Sequence, residues 1–336
     1  MGPVTIDPVS VYGAQVLLKH LKAMEAELEG VISGGDIEYV HRCRVASRRM
    51  RAALAMFSTC FSKKDHAALE KEMRKVTRSL GEARDTDVQI ELLKSVLKDF
   101  SDPRLSPGIR RLLLRLSQRR QAAQGDVVRA VEELAERDVL PAAREKLQPL
   151  VDQANEIDLH APALYALAFD AIKSRLDEML AYEPFIHDPA NITQLHAMRI
   201  SAKHLRYTLE NFEALYSGQV KDTLNTMRAL QDALGAVHDL DVWIAWIPQF
   251  ILEERERIRA YFGSIGQDKR LLPGLQAFLV SRRLMRGKAY DDFLKLWKKI
   301  TKDDVWEGLR RVISAPVDLS GTIVSSPPGT PTGGDA

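Results

Sequence analysis

The stretch His41-Arg42-Cys43-Arg44-Val45-Ala46-Ser47-Arg48-Arg49-Met50-Arg51 decides how this chain is read. Its basic and apolar residues alternate at intervals of three and four, the period of a helix. At 100° per residue, His41, Arg44, Arg48 and Arg51 fall within about an 80° arc. Cys43, Ala46, Met50, Ala53, Leu54 and Phe57 gather on the opposite side, where a core would lie. The pattern returns 155 positions later (41 to 196) as His196-Ala197-Met198-Arg199-Ile200-Ser201-Ala202-Lys203-His204-Leu205-Arg206. There His196, Arg199, Lys203 and Arg206 make the cationic arc, and Met198, Ala202, Leu205, Leu209 and Phe212 lie opposite.

Working outward, Leu21 and Met24 return as Leu176 and Met179 at the same offset. The run from Met73, MRKVTRSLGEARDTDVQI, matches the run from Met227, MRALQDALGAVHDLDVWI, with one residue fewer between the copies. Agreement of polar identities over so long a span points to a duplicated half-domain rather than a many-copy solenoid. Each half reads as an amphipathic helix, the His-Arg helix, a third helix, and a fourth opening at Asp85-x-Asp87 or Asp239-x-Asp241. The stripes Leu17, Leu21, Met24, Leu28 and Leu69, Met73, Val76, Leu80 belong to the first and third of these. The expected fold is therefore all-α: two four-helix bundles related by a pseudo-two-fold axis. Glycine and proline at Gly34-Gly35, Gly81, Pro103, Pro107-Gly108, Pro184, Gly218, Gly235 and Pro273-Gly274 read as helix punctuation. Residues 8–156 form the first half and 157–314 the second, one domain together. The Pro-, Gly-, Ser- and Thr-rich run 315–336 reads as a disordered tail.

The 336 residues carry 48 Lys plus Arg against 46 Asp plus Glu, so net charge names no partner and the placement of the cations must. No apolar run is long enough to span a bilayer, and Met1 to Ser10 has no basic stretch followed by an apolar one. A cytoplasmic location is expected, without membrane association. Cys43 and Cys60 form no CxxC pattern and suit a reducing compartment.

Like charges at i and i+4 destabilise a helix by roughly 0.2–0.5 kcal/mol per pair, so a repeated cationic column points to an anionic partner, the alternative being a solvated face or one salt-bridged by acids of other helices. The stretch between Val40 and Lys64 is nearly acid-free. Arg49 flanks the first column, and Tyr207 is the aromatic beside the second. The third helix adds Arg74 and Arg78 in the first half; Arg228 matches Arg74, and Asp232 stands where Arg78 would be. Arg110, Arg111, Arg115, Arg119 and Arg120, and Arg282, Arg283, Arg286 and Lys288, are further basic clusters that extend the surface or solvate helices. Gly81 and Gly235 suit left-handed helix ends, and Asp85 and Asp239 suit the caps that follow, with Asp87 and Asp241 in the next first turn. Asp-x-Asp also offers magnesium ligands or acids that orient arginines, but nothing completes a metal shell. His41 and His196 lack a second histidine at metal spacing shared by both copies, and donation to an anion is their simplest role. There is no phosphate loop, GxSxG or HExxH.

These residues resemble the CHAD family, the conserved histidine α-helical domain. The resemblance rests on His41-x-x-Arg44-Val45-x-x-Arg48-Arg49-x-Arg51 and Leu80-Gly81-x-x-Arg84-Asp85-x-Asp87-Val88. In the second half it rests on Leu195-His196-x-x-Arg199-Ile200-x-x-Lys203-x-Leu205-Arg206-Tyr207 and Leu234-Gly235 through Asp241-Val242. It spans roughly residues 8 to 314 and implies two four-helix bundles with a basic surface or channel between them. It also implies binding of inorganic polyphosphate and association with polyphosphate granules. His238 replaces the arginine that Arg84 supplies in the first copy. The binding residues expected are His41, Arg44, Arg48, Arg49, Arg51, Arg74, Arg78, Arg84, His196, Arg199, Lys203, Arg206, Tyr207 and Arg228, with no cofactor, metal or catalytic group. Two alternatives are a phosphoryl-handling enzyme using His41 or His196 as phosphoacceptor or metal ligand, and a nucleic-acid binder.

Overall fold

A computed structural model of the chain describes residues 7–99, 102–153, 161–263 and 266–315. The boundary near 156 and the tail, Ala315 excepted, lie outside them. Among the described residues there are ten α-helices and no strand. The first five are α1 Pro8–Ser33, α2 Ile37–Met56, α3 Lys63–Asp99, α4 Ser106–Glu136 and α5 Val139–Asp152. The second five are α6 Pro162–Leu180, α7 Ile192–Phe212, α8 Lys221–Phe262, α9 Leu272–Lys302 and α10 Val305–Ser314. The all-α expectation holds. Each half has four long helices and a short fifth: the expected third and fourth are one continuous helix, and the remaining residues of each half supply two more.

Local chemistry sets several ends. Asp7 accepts from the amides of Val9 and Ser10 and so caps α1, whose first residue is Pro8. Gly34, at φ 66°, closes α1, and Asp36 accepts from the Glu38 amide to open α2. The same reasoning fails at Gly81 and Gly235. α3 and α8 run unbroken through both glycines, so Asp85, Asp87, Asp239 and Asp241 are mid-helix residues, not caps. The reason is tertiary: Met73, Val76, Leu80 and Ala83 continue one buried stripe across Gly81, and Leu230, Leu234 and Val237 do so across Gly235. Pro107-Gly108 and Pro273-Gly274 lie inside first helical turns rather than between helices.

The core faces are as the pattern placed them: Cys43, Ala46, Met50, Ala53 and Leu54 of α2, and Met198, Ala202, Leu205 and Leu209 of α7, are buried. One core cluster contains residues of all ten helices except α4's first turns and α9's, so the halves share an interior. α2 packs against α7 across the junction. Their C-terminal ends are pinned by Phe57 and Phe212, ring centroids 5.6 Å apart, with Tyr12 of α1 stacked on Phe212. A second cluster lies where the far parts of α3 and α4 meet those of α8 and α9, around Leu93, Leu112, Trp243, Phe250 and Phe278. There the two Pro-Gly turns exchange contacts. A Cβ on Gly108 would lie 2.3 Å from the Leu271 carbonyl oxygen, and one on Gly274 only 1.9 Å from that of Leu105. Only glycine permits so close a backbone approach.

Matching carboxylates tie each outer helix to its neighbour. Asp87 of α3 accepts from Arg120 of α4 at 2.7 Å, and Asp241 of α8 accepts from Arg286 of α9 at 2.9 Å. Both pairs are largely buried, where loss of one partner typically costs about 3–5 kcal/mol. Asp87 and Asp241 thus orient arginines, one of the uses Asp-x-Asp offered, and do not sit in a helix's first turn.

Candidate anion-binding face

Because α2 and α7 pack side by side, their two cationic arcs meet at the junction of the halves. Arg44, Arg48 and Arg51 from α2 and Arg199 and Lys203 from α7 are all half-buried. They act on one another: burial pushes Arg48 down, and Arg44, Arg199 and Arg206 add to it. Lys203 is pushed down to about 8, first by burial, then by Arg48, Arg199, Arg44 and Arg51. Tyr207 lies between two guanidiniums, with Arg48 5.7 Å and Arg206 5.2 Å from its ring centroid. One of those arginines comes from each half, so the ring fixes the two columns together.

Most of the column cations have no carboxylate within ion-pair distance among the described residues, although Asp239 acts on Arg199 and Glu70 on Arg51 from farther off. Among the described residues, Arg48, Arg51, Arg199 and Lys203 form no ion pair. Arg44 does reach Asp85 at 3.1 Å. Buried polar atoms without a hydrogen-bond partner include Arg44 Nε, Arg51 Nε, Arg206 Nε, His41 Nδ1 and His204 Nδ1, all on these two helices. Buried donors are normally satisfied, and here Arg206 Nε and the equally unbonded Glu210 Oε1 stand 3.7 Å apart. The bare backbones of Gly81 and Gly235 lie beneath the two columns. A Cβ there would sit 3.6 Å from Arg44 Nε and 3.8 Å from Arg199 Nε, so each arginine lies along a helix surface that a larger side chain would occupy.

The histidines differ between the halves. His41 is near Arg84, which pairs with Glu38 at 3.3 Å; burial first, then Arg84, lowers His41 below the usual histidine range. His196 Nδ1 lies 3.0 Å from His238 Nδ1, the two rings 4.2 Å apart. Burial, Arg199 and His196 push His238 down to about 4. Two such nitrogens share at most one proton comfortably, and cations surround them, so the pair stays neutral at pH 7. No group of three or more metal-ligating side chains occurs among the described residues.

Not every expected residue joins the columns. Arg49 turns to Glu210 of α7 at 3.0 Å and is neutralised there; the same carboxylate stands 3.7 Å from Arg206. Tyr207 is only 5% exposed and is a support for arginines rather than a contact surface. Arg74 is exposed and pairs with Glu70. Arg78 lies in the outer groove between α3 and α4 beside Glu82, Asp126 and Glu133, away from both columns. Arg228 lines a cleft of about 450 Å³ with Lys19, His20, His41, Arg49 and Glu210, between the halves. The sequence reading overlooked His20, which bonds Asn211 across that junction, and the direct pairing of His196 with His238. The shared position of Arg84 and His238 in the repeat was the signal for the second.

The profile of the CHAD domain matches residues 15–248. This chain belongs to the CHAD family. Two solved structures are similar to it. The crystal structure of the CHAD domain from the plant Ricinus communis aligns with a TM-score of 0.61 at 22% identity, covering 86% of this chain and 91% of that one. PptA from Streptomyces chartreusis aligns with a TM-score of 0.58 at 19% identity, covering 87% of this chain and 100% of that one. At such identities the likeness is one of CHAD fold. No curated protein matches the sequence. No helix among the described residues is long and apolar enough to cross a membrane.

Proposed function

We propose that this CHAD protein binds inorganic polyphosphate along the α2–α7 face, without turning it over. The observation that carries the reading is the set Arg48, Arg51, Arg199 and Lys203: half-buried, contributed by both halves, acting on one another, and without a carboxylate within ion-pair distance among the described residues. A linear polyanion neutralises such a face by laying successive phosphates along it, with the charged heads of Arg48, Arg51, Arg199 and Lys203 as donors for its oxygens. The burial of Tyr207 favours polyphosphate over nucleic acid, because the one aromatic beside the columns is not free to stack on a base. Membership of a family whose resemblance implies polyphosphate binding supports the same ligand, and with it a cytoplasmic, granule-associated role.

Titration with long-chain polyphosphate at several salt concentrations tests this. Four or so phosphate contacts should give a slope of log K against log salt of about −3, by analogy with single-stranded nucleic acid. A flat response overturns the electrostatic mechanism, and tighter binding of single-stranded DNA than of polyphosphate at fixed salt overturns the choice of ligand. Phosphate release by the purified protein with magnesium, abolished by His41→Ala, would instead establish an enzyme.

A further inference from the structure

Lys203 is the one lysine in a column otherwise made of arginine, at the position that Arg48 holds in the first half. Its amine faces Arg44, Arg48 and Arg51 of α2 and Arg199 of its own helix, with His204 beside it. It has no hydrogen-bond or ion-pair partner among the described residues, and its Nζ is not among the buried unpartnered atoms, so solvent reaches it. A lysine among fixed cations differs from its arginine neighbours in kind. It can lose its proton and become a nucleophile, while they hold whatever anion approaches.

We infer that Lys203 is a self-acylation site: an acyl phosphate docks by its phosphate on the surrounding arginines and transfers its acyl group to Lys203 Nζ. The Nζ lone pair attacks the carbonyl carbon, the carbon–oxygen bond to phosphorus breaks, and inorganic phosphate leaves with the electron pair. The amine's proton passes to solvent. Three features of the site favour each stage. Arg44, Arg48 and Arg199 supply the donors that hold the phosphate and stabilise it as it departs. Before a phosphate docks, burial and these cations hold the lysine down at about 8, so about a tenth of it is the free amine at pH 7, far more than for an ordinary lysine. No acid among the described residues pairs with it to keep it protonated. The product amide carries no charge, so acylation subtracts one cation from the middle of the polyanion face. The inference rests on the anion-binding reading of that face and assigns it a chemical off-switch.

The test is quantitative mass spectrometry of the full chain after exposure to acetyl phosphate, read at every lysine, with and without long polyphosphate. Lys295 and Lys298 on the exposed side of α9 serve as references. Lys203 should acetylate at least about tenfold faster than these, and polyphosphate should suppress Lys203 alone. An uncharged acetyl ester separates docking from simple amine reactivity: the preference for Lys203 should shrink severalfold when the reagent has no phosphate. Equal rates at Lys203 and the reference lysines, or the same preference with both reagents, overturns the inference. If Lys203 reacts selectively but polyphosphate neither binds nor protects it, the acylation site stands and the polyphosphate reading falls. If polyphosphate binds and Lys203 is ordinary, the reverse holds.

Discussion

In the first half every column position below His41 is arginine, and Arg84 stands beside the histidine; in the second half Lys203 replaces Arg48 and His238 replaces Arg84. The scaffold does not change with the chemistry. Both columns lie over a glycine, both outer helices are held by an Asp–Arg pair, and both helices end on a buried phenylalanine. The first half therefore supplies charge that no physiological pH removes, and the second supplies charge that responds to its surroundings. The first half carries its counter-charges at ion-pair distance, Asp85 on Arg44 and Glu38 on Arg84; in the second, Asp239 acts on Arg199 from farther off, and Lys203 has no ion pair among the described residues.

The sharpest way to break that comparison is to reverse charge on one column at a time. If a long chain touches both, Arg44→Glu with Arg48→Glu should weaken polyphosphate binding by about 10²-fold. Arg199→Glu with Lys203→Glu should do comparable damage, because each removes an effectively intramolecular second contact. Calorimetric titration decides: a stoichiometry halved with unchanged residual affinity would mean two separate surfaces.

Next in size is the junction of the far lobe. Gly274→Ala and Gly108→Ala each force a methyl group into a carbonyl oxygen, and each should lose about 1–3 kcal/mol or more in denaturant unfolding. Wild-type stability in both variants would mean the turns are not in contact.

A smaller effect separates the halves by pH. A bound polyanion favours charged Lys203, so affinity should hold below pH 8 and fall as pH rises through it, by up to about tenfold per pK unit that binding restores. Lys203→Arg should remove the fall, while Arg48→Lys should add a second one; Arg44, Arg51 and Arg199 face the amine. The sign for the ligand-free protein is opposite. Its lysine is held below the unfolded value of 10.5, so the unfolded chain binds more protons between about pH 8 and 10.5, and stability rises with pH across that window. On the acid side, His41, His196 and His238 are all held below 6.5 by burial and neighbouring arginines, so affinity should climb only below that pH. His41→Gln with His196→Gln should flatten the acid limb; an unaltered limb would clear these histidines of the effect.

The smallest expected effect is a gain. Gly81→Ala meets Arg44 Nε at an ordinary 3.6 Å, so helix propensity should stabilise α3 by about 0.5–1 kcal/mol, with Gly235→Ala behaving alike in α8. Gly81→Leu should instead displace Arg44 and weaken binding at unchanged fold, which a melting curve and a titration together would read.

Much of this was legible in the chain itself, because periodicity reports which face of a helix is buried. The arcs of α2 and α7 and their core faces followed from spacing alone. What spacing could not report is which side chains a neighbouring helix would claim. Arg49 sits one step from the column on a helical wheel, but Glu210 arrives from the other half and takes it. Tyr207 looks like a contact residue until the fold covers its ring with two guanidiniums. Gly81 followed by Asp85 is as good a stop-and-start signal as Gly34-Gly35-Asp36, and it is the buried stripe running on across Gly81 that explains why one ends a helix and the other does not. Arg78 shares α3 with Arg84 but faces α4, a distinction that needs the bundle's packing order.

The reciprocal contact of Gly108 with Leu271 and Gly274 with Leu105 is self-complementary: each side offers the other the same turn and receives the same carbonyl. That is the geometry of an isologous interface, normally found between identical subunits. Joined in one chain, the two sides are released from having to stay identical. A true homodimer could not place lysine on one column and arginine on the other without changing both. Covalent linkage thus allows Arg48 and Lys203 to face each other as unlike residues on like scaffolds, a form of asymmetry that symmetric assembly forbids.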